Sequence, residues 1–234
     1  MKNLNWCGYE WEVAMEGGML LHPDYPFRWY DKSCAIINDD NVLELTIKKN
    51  PKEIKDWAGV TYNPEYGVGL IRSVQPFMYG TFSADIKLPE GENLWPAFWL
   101  TGENSWPPEI DMMEGWSKKN GGYFNLTKLK YNVTTNVHYR ENPTEKKKSV
   151  GLERVPLKVM RKTPDDHWYN YKVIWKPNEI IFYVDNKKIR TIGEKVAKYL
   201  ANEQMDVVFD LWTETPNFKL NKNMLIRNFK HEQL

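Results

Sequence analysis

The sequence predicts an all-β chain, a β-jelly-roll sandwich of two antiparallel sheets, and three observations predict it. Short segments rich in β-branched and aromatic residues recur between turn residues along almost all of the 234 residues. Long helical periodicity is missing. Ten or so strands in one chain of this size fit two packed sheets. No linker, internal repeat or composition break divides residues 1–234, so a single domain is expected.

In chain order, strands are expected over Val42–Lys48, Val68–Val74, Gly80–Leu88, Leu94–Thr101, Glu109–Trp116 and Tyr131–Tyr139. Four more follow at Tyr169–Trp175, Glu179–Val184, Met205–Trp212 and Met224–Phe229. In Gly80–Leu88, Phe82, Ala84, Ile86 and Leu88 alternate with Thr81, Ser83, Asp85 and Lys87, the mark of a half-buried strand. Leu94–Thr101 is apolar on both faces, with Trp95, Ala97 and Trp99 on one and Pro96, Phe98 and Leu100 on the other. Lys176-Pro177-Asn178 reads as a hairpin turn, and Asp185-Asn186-Lys187 supplies the next. The one expected helix is Glu194–Glu203, where Val196 and Leu200 stand four apart. Thr144–Lys148, ending in three lysines, reads as an exposed loop.

Composition narrows the function. Hydrophobic residues make up 41% and charged residues 27%, which places the chain in the globular class. Lys plus Arg is 32 against 31 for Asp plus Glu, so a nucleic-acid binder relying on a large basic surface is not expected. No apolar run is long enough for a transmembrane helix, and Met1–Cys7 lacks the apolar stretch of a signal peptide. Cys7 and Cys34 are the only thiols; they either pair or stay free, and no CxxC pattern occurs. The unusual count is aromatic, with 11 Trp, 13 Tyr and 9 Phe.

The chemistry concentrates in Pro107-Pro108-Glu109-Ile110-Asp111-Met112-Met113-Glu114-Gly115-Trp116. In a regular strand Glu109 and Asp111 face one way and Glu114 the other. A β-bulge at Met112–Met113 turns Glu114 and Trp116 to the face of Glu109 and Asp111. Like charges crowded on one face raise one another's pKa and keep at least one group protonated near neutral pH. A carboxylic acid beside a carboxylate is what glycosidic-bond cleavage needs. An exposed acidic face or a calcium site would also use such residues, though the spacing does not match an EF-hand loop. Trp95, Trp99, Trp106 and Trp116 cluster around the acids, which favours a groove whose aromatic planes meet sugar rings.

These residues resemble glycoside hydrolase family 16, the retaining endo-glycanases that include laminarinases, lichenases, agarases and carrageenases. Glu109, Asp111 and Glu114 fit the bulged E-x-D-x-x-E pattern of that family. Gly80–Pro89, Leu94–Leu100, Trp168–Trp175 and Ile181–Asp185 are similar to its laminarinase-like branch, and the resemblance runs in order over about residues 40–230. It implies a concave cleft, Glu109 as nucleophile, Glu114 as general acid/base and Asp111 as the group that tunes the nucleophile. It also implies Trp99 and Trp106 as sugar platforms at the glycone side and Trp95 shaping the cleft. His138 matches a histidine near the acid/base.

Two departures bear on the substrate. Leu70 stands where the laminarinase-like branch carries Arg, and Arg72, two residues on and on the same face, is the candidate replacement. Phe209-Asp210-Leu211-Trp212 resembles the Asn-Leu-Trp of lichenases with Asp for Asn, which makes Trp212 a candidate binding residue beside Trp116. The expected substrate is a β-1,3- or mixed β-1,3/1,4-glucan. A sulfated galactan calls for clustered Lys and Arg, for which Lys128, Lys130 and Arg140 are the candidates. A non-catalytic carbohydrate-binding protein on this scaffold would have no use for a raised-pKa acid. The expected partners are a polysaccharide and neither nucleic acid nor membrane, with a monomeric, extracellular protein. No cofactor or catalytic metal is required; relatives carry a structural calcium, and no residue cluster identifies one here. Asn125-Leu-Thr127 and Asn132-Val-Thr134 are glycosylation sequons.

Overall fold

The computed structural model describes residues 3–15, 18–56, 58–117, 131–156, 158–201 and 203–234. Lys128, Lys130 and the Asn125 sequon lie outside the described residues. The chain folds into a jelly roll of two large sheets. The first runs in the order Leu4–Trp6, Tyr9–Glu12, Tyr66–Ser73, Met205–Trp212, Trp95–Gly102, Glu109–Ser117, Tyr131–Tyr139, Lys148–Ser149. The second runs Lys187–Ile192, Ile180–Val184, Tyr169–Trp175, Gly80–Lys87, Met224–Glu232, Leu43–Leu45, Ala35–Ile37.

Alternation sets what each strand buries. Phe82, Ala84 and Ile86 point into the sandwich beside Tyr171, Val173 and Trp175. From the first sheet Phe98, Leu100, Ile110, Val207, Phe209 and Leu211 meet them. Phe98 stacks on Phe209 with ring centroids 4.3 Å apart. The side chains on the other face of the first sheet line the site.

The hairpin from Tyr169–Trp175 to Ile180–Val184 forms as expected, with Lys176 N–H donating to the Glu179 carbonyl at 2.9 Å. Asp185 and Asn186 both take positive φ, +47° and +59°, and link Val184 to Lys187 in a two-residue turn that suits strand twist. The expected helix is shorter than the sequence pattern: Glu194–Ala197 makes one α-turn and Lys198–Leu200 a 3-10 turn, with Ala197 and Leu200 anchoring it.

The expected strand Val42–Lys48 divides at Thr46. Leu43–Leu45 belongs to the second sheet, while Ile47–Lys49 pairs with Tyr66–Ser73 in the first. Thr46 N–H donates to the Cys34 carbonyl and its own carbonyl accepts from Gly69 N–H, each at 3.0 Å. A Cβ on Gly69 would stand 2.5 Å from the Cys34 carbonyl oxygen, so only glycine permits this approach. Cys7 and Cys34 are free thiols, Cys34 fully buried. No helix among the described residues is long and apolar enough to cross a membrane.

Candidate active site

Cross-strand register lays the site out in rows across one face of the first sheet. Glu114, Ala97, Asp210 and Leu70 share one row. Asp111, Trp99, Val208 and Arg72 share the next, and His138, Glu109, Thr101 and Asp206 the one after it. All three acids of the motif face one way because of the bulge. Asp111 pairs with Asn136 but Glu114 with Thr134, a step of three residues against two. On the other side Trp99 pairs with Asp111 and Phe98 with Met113, which leaves Met112 as the extra residue. Met112 and Met113 are both buried, so the bulge is anchored by apolar packing.

Three indoles address three carboxylates. Trp106 Nε1 donates to Glu109 Oε2 at 2.7 Å, Trp95 Nε1 to Glu114 Oε1 at 3.2 Å, and Trp99 Nε1 to Asp210 Oδ2 at 2.6 Å. Trp106 is the open one, 46% exposed, on a bend that Ser105 ties to Glu203 at 2.6 Å. Trp116 stacks on Trp95 at 4.3 Å between centroids and supports it.

His138 sits on the neighbouring strand as expected, but against a different acid. Its register partner is Glu109, and its Nε2 lies 3.4 Å from Glu109 Oε1 and 3.5 Å from Asp111 Oδ2. Glu114 stands two rows away, beyond the Asp111 row. Arg72 lies on the expected face, with its guanidinium held by Glu12 at 2.9 Å and Asp206 at 3.2 Å. Trp212 is only 9% exposed; the Arg28 guanidinium lies 3.7 Å from its ring centroid and Tyr30 packs at 5.9 Å. It forms the wall behind Trp95 rather than an open platform.

Arg28 and Asp210 escaped the sequence reading as site residues. Arg28 reaches the cleft from a three-residue strand running parallel to Tyr66–Ser73. It is buried, with Nε and both terminal nitrogens free of hydrogen bonds, and its charge favours the Asp210 anion. Leu70 is the cross-strand partner of Asp210, so the cation missing at position 70 is supplied from position 28. The Asp-for-Asn departure at position 210 was the available signal.

Burial dominates the electrostatics. Asp111 is 4% and Glu114 8% exposed. Desolvation, then the Asp111 charge, pushes Glu109 up to about 8. Desolvation, then the Glu109 charge, pushes Glu114 up to about 7. Asp111 is raised by burial and by Glu114, and Asp210 rises to about 8 mainly through burial. Burial holds His138 below the usual imidazole range. Such carboxyls release protons in steps that belong to the cluster. The fixed contacts favour the Glu109 anion: a short indole donor, with an imidazole beside it. Glu114 has one longer donor. Glu109, Asp111 and His138 also offer ligand atoms within 4.8 Å of one another, a set that a divalent cation could use.

Comparison with known proteins gives the family and the fold. The family described as Glycosyl hydrolases family 16 matches residues 22–225. The chain is 28% identical over 192 residues to the endo-1,3-1,4-beta-glycanase EglC of Rhizobium meliloti, which covers 77% of this chain and 36% of that protein. The chain thus spans about a third of that relative's length. Among solved structures, porphyranase B from Zobellia galactanivorans superposes with a TM-score of 0.71 at 18% identity, covering 95% of this chain and 85% of that one. A Bacteroides ovatus mixed-linkage glucan enzyme with its G4G4G3G product gives 0.66 at 22% identity, covering 95% and 94%. At such identities these likenesses establish the fold.

Proposed function

The chain belongs to glycosyl hydrolase family 16, and on that premise we propose that it cleaves internal β-linkages of a polysaccharide with retention of configuration. The observation that carries this reading is the Met112–Met113 bulge, which gathers Glu109, Asp111 and Glu114 on one buried face beside tryptophan platforms. Glu109 attacks the anomeric carbon while Glu114 gives its proton to the departing glycosidic oxygen, so the C–O bond breaks as the glycosyl ester forms. Glu114 then takes a proton from water, which attacks the anomeric carbon as its bond to Glu109 breaks, and Glu109 leaves as the free carboxylate. Asp111, whose charge raises the Glu109 carboxyl, sets the charge on the nucleophile between the two steps. Nucleophile and proton carrier are both side chains, so this mechanism requires no cofactor.

The preferred substrate in this reading is a β-1,3- or mixed β-1,3/1,4-glucan, met outside the cell where such polymers lie and bound by a monomer. The name of the Rhizobium meliloti relative and the neutral formal balance of the chain support a glucan. Release of reducing sugar from laminarin, barley β-glucan, agarose and carrageenans tests it. Fastest release from one of the two glucans is the expected result. Equal inertness on all four would remove the hydrolase reading.

A further inference from the structure

The Thr144–Lys148 loop is more than a solvated surface segment. Lys148 pairs with Tyr139 and Ser149 with His138 in the short antiparallel ladder at the sheet edge. Side chains alternate along this ladder, so Lys147 and Ser149 share the face of His138 while Lys148 takes the other. Contacts agree: Ser149 Oγ donates to Asn136 Oδ1 at 2.8 Å, and Lys148 bonds Glu141 at 2.7 Å and Glu145 at 3.3 Å. Lys147 Nζ instead lies 4.5 Å from the centroid of Trp106, the most exposed tryptophan of the cleft.

Arg140 adds a second cation. It follows Tyr139 and shares the parity of Asn136 and His138, and continuing the ladder sets it opposite Lys147. It is half-buried, and its Nε is shielded from solvent with no hydrogen-bond acceptor among the described residues. Among the described residues no carboxylate pairs with Arg140 or Lys147, whereas Arg72 and Lys148 are each held by two acids. A guanidinium and an ammonium without counterions, next to an open indole face, form a receptor for an oxyanion carried by the sugar stacked there. Charged neighbours on this face are Glu109, Asp111 and His138.

We infer that the Trp106 end of the cleft is a subsite for an anionic substituent, a carboxylate or a sulfate ester, which Arg140 and Lys147 bind on the polysaccharide chain. This rests on the hydrolase reading above and adds a substituent to its substrate. The test compares wild type, Arg140→Ala, Lys147→Ala and the double variant on three polymers. These are barley β-glucan, the same glucan with about one residue in ten oxidised to the C6 carboxylate, and the same glucan sulfated to a similar degree.

Loss of both cations should lower kcat/KM on a charged polymer about fivefold, chiefly through KM, and leave the neutral glucan within about twofold. Added salt should erase the difference. The charged polymer that shows the loss identifies the substituent. Arg140→Lys with Lys147→Arg should retain most of the preference. Retardation in native gels containing each polymer reads binding apart from turnover, and thermal melts check folding. Equal losses on all three polymers, or none on either charged one, would overturn this inference and leave the hydrolase reading intact. Wild-type inertness on all three, with no retardation, would instead defeat the hydrolase reading itself.

Discussion

The indole N–H of Trp99 donates to Asp210 Oδ2 at 2.6 Å, which ties a tryptophan on one strand of the cleft floor to an acid on its neighbour. Asp210 in turn lies within the field of buried Arg28. Trp99 is therefore oriented by charge as well as by packing. Trp99→Ala should weaken oligosaccharide binding by about 1 to 3 kcal/mol, with base stacking on aromatics as the analogue, and calorimetric titration reads the loss. Trp106→Ala should lose a similar amount with a small fall in Tm, since nearly half of that residue is in solvent. A collapsed melting transition with normal binding would make either ring a core residue.

The two glutamates should fail in different ways. With Glu109→Ala, azide can enter the space the carboxylate leaves and attack an activated substrate of the natural β configuration directly, giving the inverted α-azide. With Glu114→Ala, an activated substrate still forms the covalent intermediate, and azide gives a retained product. Asp111→Asn should slow turnover with neither rescue. Anomeric proton NMR distinguishes the adducts, and exchanged configurations would reverse the two roles.

Deleting Met113 should nearly abolish activity while the sandwich still forms. The deletion gives Glu-Ile-Asp-Met-Glu, an unbulged spacing, but the neighbouring strands are registered to the extra residue on both sides. Glu114 is the group displaced. A variant that keeps wild-type kcat would show that the cluster tolerates regular pairing, and a crystal structure of it would show where Glu114 goes.

Stability should fall as pH rises through the neutral range. Burial raises both glutamates, Glu109 to about 8 and Glu114 to about 7, above their unfolded values, so near neutral pH the folded cluster holds a proton that the unfolded chain has released. That contribution is complete below about pH 4 and is lost as pH climbs toward 8. Glu114→Gln keeps the neutral shape of the proton carrier at every pH. It should match wild type near pH 4 and exceed it at pH 8 by on the order of a few kcal/mol, read as a rise in Tm. An equal offset at both pH values would contradict the buried-acid account.

The parts of this site legible in the sequence are those written in one strand's periodicity. Glu109, Asp111 and Glu114 could be placed because their spacing breaks alternation once and two adjacent methionines explain the break. The faces of Leu94–Thr101 followed from alternation alone, and Phe98 and Leu100 are buried accordingly. Arg28 was illegible because Arg28–Tyr30 has only three residues, all buried, and so carries no pattern. Its partners Trp212 and Asp210 meet it through the parallel ladder with Tyr66–Ser73, a contact between distant segments that no local window contains. Arg72 faced correctly, but the two acids that occupy it come from two other strands. Lys147 looked like one of three interchangeable loop lysines until ladder pairing separated it from Lys148.

The division of one strand at Thr46 has a mechanical consequence. Thr46 bonds toward the second sheet through its N–H and toward the first through its carbonyl, so the two layers are stitched at a single residue. Sliding one layer over the other would tear hydrogen bonds on both sides of that stitch and force apart Gly69 and the Cys34 carbonyl, already at closest approach. The stiffness acts on Tyr66–Ser73, the strand that carries Leu70 and Arg72 along the cleft floor. Any yielding of the first sheet then falls to its rim, where Trp106 and the lysine loop stand, rather than to Tyr66–Ser73.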